Sequence, residues 1–284
     1  MLDGHRIVTA HGQTLFCGTL TTPSLAELRA EPLRDRGPSR LTEIIADVRD
    51  LHADPANASA TFMVASQFNL LEMPHPGVTP EDGIRAYADD HTQGPACAMA
   101  CGAGTLYRNY FVPLPHGPGQ SAAHQIDTAA DLHRALGGDI WQMRNGYALP
   151  LPGGLTRAAE RLASRDLSGH LRIGVQAETE VTITAPRHRV TQVYASALPI
   201  AYANEPLSAW EPLARLVLEA SYEATLRITA RTPDRPCFLT LLGGGVFGNP
   251  QAWILDALHA AVAKTVTAGL DLCLVSYSHP VLDT

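Results

Sequence analysis

Glu72, Glu81, Asp82, Asp89 and Asp90 crowd one short stretch of the chain. Carboxylates gathered in this way can orient water, stabilise positive charge at a reacting carbon, or hold a guanidinium fork through paired hydrogen bonds. Local structure accounts for the same residues without chemistry. Thr79-Pro80-Glu81-Asp82 reads as a helix start capped by Thr79, with its acids at the positive helix end, and Asp90-His91-Thr92-Gln93 reads as a capping box for a second helix. Geometry adds a condition. Eight residues on one straight helix span about 12 Å, so Asp82 and Asp90 reach one small group only if the chain bends between them.

A second constellation is Thr240 to Pro250, Thr-Leu-Leu-Gly-Gly-Gly-Val-Phe-Gly-Asn-Pro. A strand-like run, Pro236 to Leu242, empties into three glycines, and an apolar helix begins near Gln251. Glycines let backbone N–H groups approach a ligand, and successive N–H groups form a concave nest for oxyanions. The helix after Pro250 adds the partial charge of its N-terminus. Read as an ordinary turn, the same glycines bind nothing.

These residues need elements to position them. Ile7 to Ala10 and Thr14 to Cys17 predict a hairpin, while Ser24 to Glu31 and Leu41 to His52 show helical spacing. Thr61 to Phe68 is apolar on both faces, as a buried strand is. Helices are expected after Thr79 and over Pro95 to about Tyr107, and a helix near Ala129 to Leu136. Trp141 to Arg144 and Tyr147 to Leu149 flank an Asn-Gly turn. Further along come a helix at Thr156 to Ala163, strands at Leu171–Gln176, Glu180–Thr184 and Val190–Ala197, and a long helix over Trp210 to Ile228. A helix from Gln251 to about Thr267 and a last strand, Leu272 to Tyr277, close the chain. This order predicts an α/β fold, a mixed sheet flanked by helices on both faces. Ligands in such sheets sit beyond the carboxyl ends of strands. Gln67-Phe68-Asn69, Ser196 and the glycine run all fall at such ends, so one cleft is expected there.

Composition narrows the classes. The chain has 284 residues, a charged fraction of 17% and a formal net charge of −7, with no Lys/Arg run. That opposes a nucleic-acid footprint but not a single nucleotide ligand. No apolar stretch approaches a membrane span, and Met1-Leu2-Asp3-Gly4-His5 lacks signal-peptide features. The five cysteines and twelve histidines show no Cys-x-x-Cys or His-x-x-x-His pattern. Cys97 and Cys101 fit a helix core better than a disulfide or a metal site. The expectation is a cytoplasmic protein without metal or cofactor.

The strand ending at Asn69, the Gly243-Gly244-Gly245-Val246-Phe247-Gly248 loop and a closing strand with Tyr277 near its end resemble macro domains. Ala65-Ser66-Gln67-Phe68-Asn69-Leu70-Leu71-Glu72, Thr92-Gln93-Gly94-Pro95-Ala96-Cys97-Ala98 and Trp141-Gln142-Met143-Arg144-Asn145-Gly146-Tyr147 are similar to the divergent, effector-type (MavL-like) branch. The resemblance runs from about residue 60 to the end, with residues 1–55 as an N-terminal hairpin and helices packing on one elaborated domain, 1–284. Two features depart from common macro domains. Cys17-Gly18-Thr19-Leu20 lacks the carboxylate that reads adenine, and Leu70-Leu71-Glu72 replaces the glycines after the asparagine.

The resemblance implies a macro-domain-like mixed sheet with insertions and a hydrolase that removes ADP-ribose from protein side chains, arginine first, ubiquitin-linked arginine included. It places Asp82 and Asp90 as the catalytic pair. Gln67, Asn69, Glu72, Ser196, Gly243, Gly244, Gly245, Val246, Phe247, Gly248 and Tyr277 are then substrate-binding residues. ADP-ribose and an ADP-ribosylated protein are the implied partners. A reader that binds ADP-ribose without chemistry, and a phosphatase or deacetylase acting on free ADP-ribose derivatives, remain the alternatives.

Overall fold

The computed structural model describes residues 1–282. Seven strands form one mixed sheet: β1 (Thr19–Thr21), β2 (Arg40–Ile45), β3 (Thr61–Ala65), β4 (Gly174–Glu180), β5 (Arg189–Ala195), β6 (Cys237–Leu239) and β7 (Asp271–Ser276), in the spatial order β1-β4-β5-β3-β6-β7-β2. From β5 to β2 every neighbouring pair is parallel, whereas β4 runs antiparallel to both β5 and β1. Parallel strands require crossovers, which put helices over the sheet and demand apolar residues on both strand faces.

Strand β3 shows the consequence. Met63 joins Leu239, Leu272 and Leu274 in one core layer, and Phe62 and Val64 join Phe238, Cys273 and Tyr194 in the other. The first layer is covered by α1 (Leu25–Ala30), α4 (Gly154–Leu162), α5 (Leu207–Thr229) and α6 (Gln251–Lys264). Val48 of α2 (Val48–Ala53) and Ala96 and Cys97 of α3 (Gln93–Ala100) cover the second. The expected sheet with helices on both faces is therefore the one observed.

Four local expectations are corrected. Leu41 to His52 is not one helix: Arg40–Ile45 is a strand paired with β7, Leu41 opposite Leu272 and Ile44 opposite Val275. Leucine and β-branched residues at this spacing fit either period, and the free β7 edge decides. Asp47, accepting the Arg49 N–H at 2.8 Å, then starts α2. The helix expected after Thr79 is only two 3₁₀ turns, Pro80–Asp82 and Arg85–Ala88, separated by Gly83 at φ 76°. A Cβ on Gly83 would lie 2.7 Å from the Tyr110 hydroxyl. The helix expected over Pro95 to about Tyr107 begins at Gln93 and breaks at Cys101, and the strand expected at Glu180–Thr184 does not form, since Glu180 ends β4 and residues 181–184 are irregular.

His52 couples the second layer to pH. Its ring stacks on Phe62 at 3.7 Å, Nδ1 donates to the Val48 carbonyl at 2.7 Å, and Nε2 accepts from Gln192 at 3.1 Å. Burial pushes its pKa down from 6.5 to about 4. The unfolded chain therefore binds this proton first, so the contribution to stability is present above 6.5 and is lost as pH falls towards 4. Between pH 7 and 4.5 the loss is roughly 2 to 3 kcal/mol. Urea unfolding of the wild type and of His52→Phe at both pH values checks this. A pH slope that survives the substitution assigns the effect to other groups.

Candidate active site

A cleft of about 210 Å³ opens beyond the carboxyl ends of β3, β5 and β6. Ser66 and Gln67 continue β3 into it, Ala197 follows β5, and Thr240 to Gly243 follow β6. One wall is Glu72-Met73-Pro74, a second is Asp90 with the first turn of α3, and Gly245, Val246 and Phe247 close the third side.

The turn after β3 is built by its own side chains. Gln67 Oε1 accepts the Met73 N–H at 2.6 Å, and Asn69 Oδ1 accepts the Leu71 N–H at 3.1 Å around Leu70, whose φ is 63°. The Trp141–Arg144 and Tyr147–Pro150 hairpin supports it, with Tyr147 donating to the Met73 carbonyl at 2.6 Å. Gly146 makes that approach feasible, because a Cβ there would lie 2.6 Å from Asn69 Oδ1. Gln67 thus borders the cleft while bracing its wall. Asn69 is buried, donates to Gln125 at 2.9 Å, and does not line the cleft.

Helix α3 is drawn against the same strand end. A Cβ at Gly94 would fall 2.1 Å from the Ala65 carbonyl oxygen, so only glycine permits the contact. Gln93 prolongs the β3 ladder with its amide, accepting the Ala65 N–H at 2.9 Å and donating to the Met63 carbonyl at 2.8 Å. The sequence places Gln93 in a capping box opened by Asp90; here Thr92 is the N-cap instead, and Gln93, one residue after it, reaches the strand end.

The carboxylates separate. Glu72 is 4% exposed, and neither of its oxygens has a hydrogen-bond partner among the described residues. Its N–H donates to the Tyr87 hydroxyl at 3.0 Å. Burial pushes the carboxyl up from 4.5 to about 8, against the opposing pull of Arg108, so the group is mostly protonated at neutral pH. Arg108 is itself buried, donating to the Leu70 carbonyl at 3.0 Å and to Thr105 Oγ1 at 3.2 Å, with its guanidinium 3.7 Å from the Tyr194 ring centroid. Asp90 also faces the cleft; its Oδ1 accepts the Thr92 N–H at 2.9 Å and the Thr92 hydroxyl at 2.6 Å.

Asp82 does not share this space. It is exposed, its Oδ2 accepts the Thr79 N–H at 2.9 Å, and it borders a shallow depression beside Tyr110. Glu81 is taken up by the Ala122 N–H at 2.8 Å, and Asp89 is exposed. The chain does bend between Asp82 and Asp90, yet it brings Glu72, rather than Asp82, beside Asp90 in the cleft.

The glycine run divides by position. Gly243, at φ 74°, is packed so that a Cβ would lie 2.3 Å from the Ala197 Cβ, and Gly244 lies against Ile254. Gly245 has open space where its Cβ would be. Gly248, also at φ 74°, closes a turn by donating to the Gly245 carbonyl at 3.0 Å. Among the described residues, the amides of Gly243, Gly245, Val246 and Phe247 donate to no backbone or side-chain acceptor. Helix α5 sets the entry, since Tyr222 donates to the Thr240 carbonyl at 2.6 Å and accepts the Leu242 N–H at 3.1 Å. Asn249, a residue without a role in the sequence reading, clasps the exit by donating to the Leu198 carbonyl at 2.9 Å.

Phe247 is anchored by its ring, with centroids 5.3 Å from Tyr147 and 5.8 Å from Tyr202, while Val246 projects at the rim, 65% exposed. Ser196 is buried behind the wall, donating to the Ala197 carbonyl at 3.0 Å, and Tyr277 is 78% exposed outside the lining. The cleft therefore joins a carboxyl that holds a proton, a carboxylate and a nest of free amides. Such a set can protonate a leaving group, stabilise developing positive charge and hold an oxyanion.

No family model matches the chain, and no curated protein matches it in sequence. Solved structures do. Poly(ADP-ribose) glycohydrolase from Deinococcus radiodurans in complex with ADP-ribose superposes with a TM-score of 0.51 at 12% identity, covering 92% of this chain and 89% of that one. The T267K mutant of that protein, also with ADP-ribose, gives a TM-score of 0.50 at 15% identity, with 92% and 88% covered. At such identities the likeness is one of fold: the chain is a macro-domain-like mixed α/β protein, its central sheet flanked by helices.

Proposed function

We propose that this chain, acting as one elaborated macro-like unit, hydrolyses the glycosidic bond between ADP-ribose and a modified protein side chain, arginine in the first instance, as in the effector-type branch that its motifs resemble. The observation that carries the reading is Glu72, a buried and unpartnered carboxyl opening onto a cleft whose opposite side offers free loop amides. A site that only binds has no use for such a group, whose burial opposes stability wherever it must ionise. Solved proteins of similar fold hold ADP-ribose, which supports the ligand class.

The division of labour follows from position. The Gly245–Phe247 amides receive the diphosphate. Glu72 gives its proton to the departing atom as the bond to the anomeric carbon breaks. Asp90, beside it, stabilises the oxocarbenium-like carbon and takes a proton from the water that adds there. Linkage is read from charge: a guanidinium leaves favourably towards Asp90, whereas a carboxylate is repelled. The O-glycosidic bond of poly(ADP-ribose) is the second reading, favoured by Glu72 itself, because an alkoxide leaving group needs the proton that Glu72 holds.

Single-turnover release from arginine-linked protein, glutamate-linked protein and poly(ADP-ribose) tests the assignment. Arginine-linked protein is expected to react fastest, with Asp90→Asn lowering its rate about 100-fold and Asp82→Asn leaving it near wild type. Faster release from the glutamate ester overturns the linkage, and faster release from the polymer selects the second reading. Binding of ADP-ribose without release from any substrate reduces the protein to a reader. An Asp82→Asn rate as low as that of Asp90→Asn returns Asp82 to the catalytic pair.

A further inference from the structure

At the opposite end of the sheet from the cleft, where the chain enters β2 and β6, lies a recess of about 350 Å³. Arg34, Arg36, Arg227 and Arg231 line it, and Glu31 is the one acid among the described residues that do. Four arginines thus border one recess in a chain whose formal net charge is −7.

Fold stability explains two of the four. Arg227 and Arg231 lie at the carboxyl end of α5, where cations complement the helix dipole. They are also paired, Arg227 with Glu223 at 3.0 Å and Arg231 with Glu31 at 2.5 Å. Arg34 and Arg36 have no such account. They come from the loop before β2, are exposed, and make no side-chain hydrogen bond or ion pair among the described residues. The loop that carries them is nevertheless fixed. The Arg36 N–H donates to the Thr267 carbonyl at 2.8 Å, the Ser39 N–H to Val266 at 2.6 Å, and the Gly269 N–H to Gly37 at 3.0 Å. Gly269 lies so close that a Cβ there would stand 2.8 Å from the Arg36 Cβ.

Like charges held together on a fixed backbone repel unless an anion sits between them. Planar guanidinium forks match the paired oxygens of phosphate more closely than they match chloride. We propose that this recess is a second ligand site, independent of the cleft, that binds a compact oxyanion of the phosphate or diphosphate class. Arg34 and Arg36 supply the free forks, and Arg227 and Arg231 form the charged back wall.

The test uses the full chain carrying Gly245→Glu, which occupies the cleft loop with bulk and negative charge, so that only the recess remains to bind. Inorganic phosphate and pyrophosphate are titrated at constant ionic strength, with sodium chloride as the reference, and melting temperature is followed together with calorimetric binding. A saturable rise in melting temperature is expected, larger for pyrophosphate. Adding Arg34→Glu with Arg36→Glu should remove the rise and weaken binding at least about 10-fold, since two attractive charges become repulsive. Both residues are exposed, and an unchanged melting temperature in chloride verifies that the fold is intact. A rise no larger than that in chloride, or one that persists in the doubly reversed variant, overturns the site. Neither result bears on the cleft, which stands or falls on release of ADP-ribose.

Discussion

Replacing Glu72 by glutamine is expected to lower turnover by at least about 100-fold while leaving ADP-ribose binding nearly intact. Glutamine keeps the shape of the protonated carboxyl and its contacts, but it has no transferable proton. The pH profile gives the independent reading. With the carboxyl raised to about 8, wild-type turnover holds through neutrality and falls as pH rises past about 8, and the residual activity of Glu72→Gln lacks that limb. Stability moves by the same linkage. A folded pKa above the unfolded 4.5 means that the native state holds the proton longer, so this contribution is fully present below 4.5 and is lost as pH rises through about 8. Glu72→Gln should therefore gain stability relative to wild type at high pH. Unchanged turnover in Glu72→Gln, or a profile whose alkaline limb survives it, removes Glu72 from the chemistry.

The second large effect is expected at Gly245. Its Cβ position is open, so Gly245→Glu folds, yet the new side chain projects negative charge into the space beside the free amides. The rise in melting temperature produced by ADP-ribose should disappear, and free adenine should produce little rise in either protein. Gly243→Ala makes the contrast. That position has φ 74° and an Ala197 Cβ 2.3 Å away, so alanine there disturbs the loop and lowers the melting temperature even without ligand. If Gly245→Glu still shows the full ligand-induced rise, the loop is an ordinary turn and the diphosphate lies elsewhere.

Much of this protein was legible in the chain. The apolar run at Thr61 to Phe68, the Asn-Gly hairpin, the long helix over Trp210 to Ile228 and the strand-glycine-helix order at Thr240 to Pro250 each follow from local periodicity and turn chemistry, because each element is specified by residues close to it in sequence. The class of sheet and the end at which a cleft opens follow from their order. Local pattern failed where pairing decides. Leu41 to Ile45 satisfies a helical period, and only the β7 edge lying beside it makes it a strand. Burial was equally illegible. Glu72 reads as one acid among five, and it becomes a protonated group only when the fold removes it from water beside the start of α3, against the pull of Arg108. Asp82 and Asp90 look equivalent as acids at helix starts, but the chain turns at Gly83, and one faces solvent and the other the cleft. Sequence by itself determined the elements whose period and turn residues are local, and the end of the sheet at which the glycine run lies. Tertiary structure decided which carboxyl is removed from water, because desolvation and the distance between charges depend on groups that are remote along the chain.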